Sequence, residues 1–174
     1  MKPRKDVQKI TRNREVIRND IEGLIVKKCD PVVDPRGELT EAYNPNWGIS
    51  EIPLVYAYYA TLRPGVIKGW VMHKLQDDRI FVLNGVQHWA FFDARSTSST
   101  YKNLVKITIS ERNRSLIIIP KMVFHAVKNV GSNDTMFINH PTKAYDRKNP
   151  DKYRLPVKND LIPYDFSDTL SNNY

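Results

Sequence analysis

Ten short runs of β-branched, aromatic and other apolar residues, with turn-forming residues between them, constrain this chain more than any other feature. They cover residues 23–28, 38–43, 55–62, 67–74, 79–83, 87–92, 104–110, 115–119, 124–129 and 135–140. Runs of this length, composition and spacing predict the strands of an all-β sandwich or barrel. Residues 105–109 alternate, with Val105, Ile107 and Ile109 around Lys106 and Thr108, as a half-buried strand does. Asn84–Gly85 falls between two runs and predicts a hairpin turn, because both residues tolerate positive φ. Asp34–Pro35–Arg36–Gly37 predicts another turn. Only residues 4–18 carry a helical pattern, and there is no internal repeat. The expected organisation is a basic N-terminal arm over 1–20, one antiparallel barrel over 21–145, and an irregular Pro-, Asp- and Lys-rich tail over 146–174 that wraps it.

At 174 residues the chain can bury the core of one domain. Its single cysteine, Cys29, excludes an internal disulfide and any zinc-finger or iron–sulfur spacing, which fits a reducing compartment. The start lacks an apolar core of signal-peptide length. No run reaches the roughly 18 apolar residues of a membrane helix. A cytoplasmic protein without a membrane partner is the expectation. The formal charge is +8, and residues 1–20 hold seven basic residues against three acidic ones. No aromatic residues interleave with that arm, so it reads as a solvated terminus and nucleic acid is not expected as a partner. The excess on the body suits an anionic small ligand.

The four histidines stand at 73, 88, 125 and 140. A lone histidine on a strand is usually structural. His73 and His125 lie on separate runs, however, and inward positions of a small barrel converge on one cavity. Trp70, Trp89, Phe91 and Phe92 read as packing residues. Tyr56 and Tyr58 share a face that suits either barrel lining or a dimer interface.

The spacing around the two histidines is similar to the cupin motifs. Gly65, Val71, His73, Asp78 and Gly85 fall at the spacing of the pattern G-x5-H-x-H-x4-E-x6-G, with Val71 in place of the first histidine and Asp78 in place of the glutamate. Pro120, Met122, His125 and Asn129 fall at the spacing of P-x-G-x2-H-x3-N, with Met122 in place of the glycine. Within the cupins, residues 23–155 resemble the dTDP-4-dehydrorhamnose 3,5-epimerases. Asp34, Arg36, Gly37, Leu39 and Glu41 follow D-x-R-G-x-F-x-E, residues 65–69 follow G-V-L-R-G, and Phe92 to Thr100 follow V-D-x-R-x-x-S-x-T. Ile119 to His125 follow I-P-x-G-F-A-H, and Phe137, Thr142 and Tyr145 fit the stretch that follows.

The resemblance implies a cupin, a jelly-roll β-barrel (double-stranded β-helix) of antiparallel sheets, paired as a homodimer through N-terminal strands. It implies an isomerase of nucleotide-linked 4-keto-6-deoxysugars, carrying dTDP or another nucleotide, in O-antigen or other surface-polysaccharide synthesis. That chemistry removes a proton beside the keto group and returns one to the opposite face, with no cofactor. The family's base and acid positions are held here by Val71 and Asn139, so the resemblance implies a retained pocket with the standard acid–base pair replaced. His73 and His125 are then the catalytic candidates. Lys68, Arg79, Tyr58, Asn139 and Tyr145 would line the sugar site, with Arg36 and Glu41 at the nucleotide end. Two alternatives come with it. One is a non-catalytic cupin that binds a nucleotide sugar. The other is a sugar 3,4-ketoisomerase-like or metal-dependent cupin using His73, Asp78 and His125.

Overall fold

The computed structural model describes residues 20–167. The expected helix over 4–18 and all of the basic arm except Asp20 lie outside the described residues. Two five-stranded antiparallel sheets face each other. In chain order the strands are β1 (Ile25–Lys28), β2 (Val32–Asp34), β3 (Gly37–Leu39), β4 (Tyr58–Leu62), β5 (Ile67–Met72) and β6 (Asp78–Asn84). They continue as β7 (Gln87–Asp93), β8 (Leu104–Ile109), β9 (Ser115–Ile119), β10 (Val123–Asn129), β11 (Thr135–Asn139) and β12 (Tyr153–Arg154). The first sheet runs β1-β9-β6-β11-β4 and the second β12-β5-β10-β7-β8, while β2 and β3 pair only with each other. The described residues contain no α-helix. This is the expected jelly-roll barrel of cupin type.

Three apolar clusters hold the sheets. Between them lie Leu62, Ile80, Val82, Phe91, Ile107, Ile117 and Val127, among others. Trp70, Met72, Phe92, Phe124 and Ala126 turn to the outer face of the second sheet, where Ile162 and Phe166 cover them. Phe81, Leu116 and Ile118 turn to the outer face of the first, under Tyr43, Trp47 and Ile49. The central strands are thus covered on both faces. That is why β9 is apolar without a break from Leu116 to Ile119, whereas edge strand β8 alternates.

Asn84–Gly85 makes its turn, with Gly85 at φ +77°, but it does not close a hairpin. β6 belongs to the first sheet and β7 to the second, so the turn hands the chain from one sheet to the other. Turn residues set local φ, and the partner of each strand is chosen by the core it faces. Asp34–Pro35–Arg36–Gly37 does close a hairpin, with Asp34 opposite Gly37 in the β2–β3 pair. Within the segment read as an irregular tail, Tyr153 and Arg154 add β12 to the edge of β5.

Candidate functional site

The site begins with an irregularity in β5. Val71 pairs with His125 and Lys68 with Val127, so three steps on β5 oppose two on β10. The extra residue falls at Gly69, whose φ is +137° and where a side chain would bring Cβ to 2.4 Å from that of Ala126. Only glycine allows so close an approach. The bulge changes which side chains share a face. Trp70 and Met72 point outward, while Lys68, Val71 and His73 all line the cavity between the sheets.

That cavity is a narrow chamber of about 60 Å³ whose walls include Tyr58, Asp78, Trp89, His125, Lys152 and Arg154. It shares Tyr58, Lys68, His73, Phe137 and Lys152 with an outer chamber of about 230 Å³, which Tyr56, Gln76 and Tyr145 complete. The two chambers are one cleft.

At its floor, Asp78 Oδ2 stands 3.4 Å from Nε2 of both His73 and His125. The other ring nitrogens are held by backbone. His73 Nδ1 meets the Asp151 carbonyl, and His125 Nδ1 lies 3.3 Å from the Val123 carbonyl. A carbonyl can only accept, so both Nδ1 atoms carry hydrogen and both Nε2 atoms face the carboxylate. Two imidazole lone pairs against an anion need a proton or a cation among them.

Burial works against the Asp78 charge, yet the hydrogen bond from His73 and the charges of both histidines hold its pKa down at about 2. Burial pushes His125 down to about 4, leaving it neutral. Burial also opposes charge on His73, but the Asp78 bond and charge outweigh it and raise its pKa. His73 is therefore where a proton rests in this cluster, with Asp78 as its counter-ion.

The donor set also fits a divalent metal. Its three ligand atoms lie within 4.8 Å of one another. The 3.4 Å separations match the roughly 3.4 Å edge of a tetrahedron with bonds of about 2.0–2.1 Å. Carbonyl-anchored Nδ1–H groups are the usual support of metal-ligating histidines.

Across the cleft, Tyr58 on β4 is the cross-strand partner of Asn139 on β11. Asn139 Oδ1 accepts the Arg79 backbone N–H at 3.0 Å, and its Nδ2 donates to the Tyr58 hydroxyl at 3.0 Å. Burial, with the Asp78 charge behind it, pushes the Tyr58 phenol up to about 12. At the mouth, burial lowers the pKa of Lys152, as do the charges of Arg154 and Lys68, so three cations sit close enough to repel one another. Lys152 and Arg154 escape sequence reasoning because their neighbours are Pro, Asp and Lys. The faint clue is two cations spaced by two around Tyr153, as on one face of a strand.

The structure brings Tyr58, Lys68, His73, His125 and Tyr145 to the cleft, with Asn139 directly behind Tyr58. It does not bring Arg79, Arg36 or Glu41. Arg79 follows Asp78 on β6 and so points the other way. It is fully buried, and its guanidinium donates to the carbonyls of Ile52, Pro53 and His140. Arg79 therefore pins the 43–53 segment to the outside of the first sheet rather than lining the sugar site. Arg36 has an 89% exposed side chain paired with Asp34, and Glu41 accepts from Asn44 in the loop beyond. Neither residue lines either chamber.

Comparison with known proteins agrees with this architecture. A crystal structure of a dTDP sugar isomerase from Desulfovibrio desulfuricans G20 superposes with a TM-score of 0.78 at 19% identity, over 86% of this chain and 94% of that one. A 3'-monoepimerase from Streptomyces bikiniensis, solved with dTDP-quinovose, superposes at 0.70 and 14% identity, over 78% and 70%. These likenesses establish the cupin fold. In sequence, the chain is 33% identical to the probable low-salt glycan biosynthesis epimerase Agl13 of Haloferax volcanii over 138 residues, 79% of this chain and 88% of that protein. It is 29% identical to the spore coat polysaccharide biosynthesis protein SpsL of Bacillus subtilis over 147 residues, 84% and 97% of the two chains. The family of polysaccharide biosynthesis C-terminal domains matches residues 32–153, a stretch running from β2 through the cleft to β12. By that match and by its likeness to the Haloferax protein, the chain belongs to the polysaccharide biosynthesis C-terminal domain family.

Proposed function

We propose that the chain epimerises a nucleotide-linked 4-keto-6-deoxysugar on the way to a surface polysaccharide. The observation that carries this reading is the His73–Asp78–His125 cluster at the floor of a cleft whose mouth holds Lys68, Lys152 and Arg154. The relatives named as glycan and polysaccharide biosynthesis proteins support the pathway class. A 4-keto group acidifies the neighbouring C–H bonds. His73, once its resting proton has passed to solvent, accepts one such proton through Nε2, and the C–H electron pair passes into the enolate. Asp78 stabilises the imidazolium so formed, and His125 holds the cluster's geometry. The cations at the mouth hold the diphosphate and offset enolate charge. Val71 and Asn139 have no proton chemistry to offer, so the acid–base work moves to their neighbours. The domain expectation stands as a proposal, with residues 21–145 as the barrel. A homodimer is proposed from the β2–β3 hairpin, where Val32, Val33 and Leu39 are exposed.

The test is proton exchange. The chain is incubated in deuterated water with dTDP-4-keto-6-deoxyglucose and, separately, its UDP-linked analogue, and C3 and C5 are followed by NMR. Deuterium at C3, or at both carbons, lost in His73→Asn, supports the proposal. Nucleotide-sugar binding without exchange indicates a binding protein instead.

A second reading rests on the same three side chains. His73, Asp78 and His125 would hold a divalent metal, which would polarise the keto oxygen as a Lewis acid. Lys68 and Lys152 would then orient the diphosphate. Stoichiometric zinc, nickel or iron in protein purified without a histidine tag, lost in His125→Ala, supports this reading.

A further inference from the structure

We propose that Tyr58 is the proton donor of the epimerisation, delivering a proton from the wall opposite the histidines, and that Asn139 is the residue that positions it. The inference rests on the proposed reaction and deepens it by naming the second half of the acid–base pair.

The placement comes from the two-sheet architecture. His125 stands on β10, and His73 directly follows β5, so both belong to the second sheet. Tyr58 stands on β4, the edge strand of the first sheet, and lines both chambers. The outer chamber of about 230 Å³, which Tyr58 and His73 both line, has the space for one sugar ring. Inversion at carbon requires removal of a proton from one face and delivery to the other. The histidines and Tyr58 occupy those two faces.

Asn139 fixes the direction of the donation. Its Oδ1 is committed to the Arg79 N–H, which settles the orientation of the amide and leaves Nδ2 facing Tyr58. The amide N–H donates to the phenol oxygen, so the phenol's own hydrogen points elsewhere, and the open side is the cleft. The same N–H is in place to stabilise the phenolate left after transfer. Tyr58 is 37% exposed, as a residue at an open mouth must be, while Asn139 behind it is fully buried. Tyr56 and Tyr145 line only the outer chamber. The phenol remains protonated at neutral pH, consistent with an acid role.

The step balances without a co-reactant. His73 takes the C–H proton and the electron pair moves into the enolate. The enolate pair then forms a new C–H bond with the Tyr58 proton, and the oxygen keeps the O–H electrons as phenolate. Solvent takes the proton from His73 and returns one to Tyr58, so the protein is unchanged.

The experiment separates washout from inversion, using the same dTDP- and UDP-linked 4-keto-6-deoxyglucose in deuterated water. In Tyr58→Phe the base is intact, so deuterium still enters with retained configuration, while formation of the inverted epimer falls by about 10²-fold or more. Asn139→Leu lowers kcat for inversion by more than it lowers washout, with KM unchanged, a split that a structural role would not produce. Replacement of Tyr58 by 3,5-difluorotyrosine keeps the ring and the hydroxyl and makes the phenol more acidic. It changes the inversion rate alone, which guards against a folding defect in Tyr58→Phe. Unimpaired inversion in Tyr58→Phe, equal loss of washout and inversion there, or dependence of inversion on Tyr145 instead of Tyr58 each overturns the assignment while leaving the proposed reaction standing. Absence of washout in the unmodified chain with both sugars overturns the reaction itself and this inference with it.

Discussion

Asp78 and Asp93 are both buried carboxylates at strand ends, and they have opposite fates. Asp93 closes β7 and accepts from Arg95 Nε at 2.8 Å, Ser98 Oγ at 2.7 Å and Thr100 Oγ1 at 2.6 Å, with the Arg95 backbone N–H as well. Every lone pair has a donor, and those bonds hold its pKa far below the usual range despite burial. Asp78 opens β6 with amide donors in the side chains of Gln76, at 3.1 Å, and Asn139, and with two histidines at 3.4 Å. A satisfied carboxylate ties a loop to a sheet. An under-satisfied one facing a cleft keeps capacity for a proton, a metal or a substrate.

The largest expected effect breaks the Asp78 side of the comparison. Asp78→Asn lowers the exchange rate by about 10²–10⁴-fold, because the counter-ion of the protonated His73 is lost. Circular dichroism should show the sheets intact. The Asp93 side gives the mirror result. Asp93→Ala leaves the Arg95 guanidinium without its partner and costs about 3 kcal/mol. That lowers Tm by roughly 6–12 °C, while exchange by the folded fraction is unchanged.

Arg79 sharpens the contrast within one strand, since it neighbours Asp78 but faces outward. Arg79→Met strands the carbonyls of Ile52, Pro53 and His140 and costs about 2 kcal/mol, read as a lower Tm. The KM for the nucleotide sugar should stay within threefold. A tenfold rise in KM would return Arg79 to the substrate site. The mouth cations come next. Lys152→Ala and Arg154→Ala each raise KM about tenfold, roughly 1.4 kcal/mol, and the loss shrinks at high salt as screening would require.

The smallest effect is on acid stability. Both carboxylates have depressed pKa values in the fold, so each contributes stability that is present above pH 3.8 and lost as pH falls. The Asp78 contribution disappears as pH falls to about 2, and that of Asp93 persists lower. Scans of Tm between pH 5 and pH 2 should show a shallower acid limb for Asp93→Asn than for the unmodified chain.

Much of this was legible in residue order. The run 116–119 is all apolar and became a strand buried on both faces, and the alternation at 105–109 became an edge strand. His73 and His125 met in one cavity because period-two geometry and barrel closure leave few inward positions. Arg79 was misplaced because the sequence does not show where a strand starts facing inward, and a slip of one residue reverses every side chain. Simple alternation from Val71 and His73 puts Lys68 on the outer face, and the bulge at Gly69 turns it into the cleft.

What the sequence determined by itself is the material: strand-length apolar runs, turn residues with the φ they need, two histidines on separate strands and a surplus of cations. Those properties are local, set by side-chain shape and chemistry. Only the tertiary structure decided that Asn84–Gly85 crosses between sheets, that β12 carries Lys152 and Arg154 to the cleft, and that Tyr58 faces the histidines from the other wall. These depend on which strands share a core, and pairing is settled by burial summed over the whole barrel rather than by any one segment.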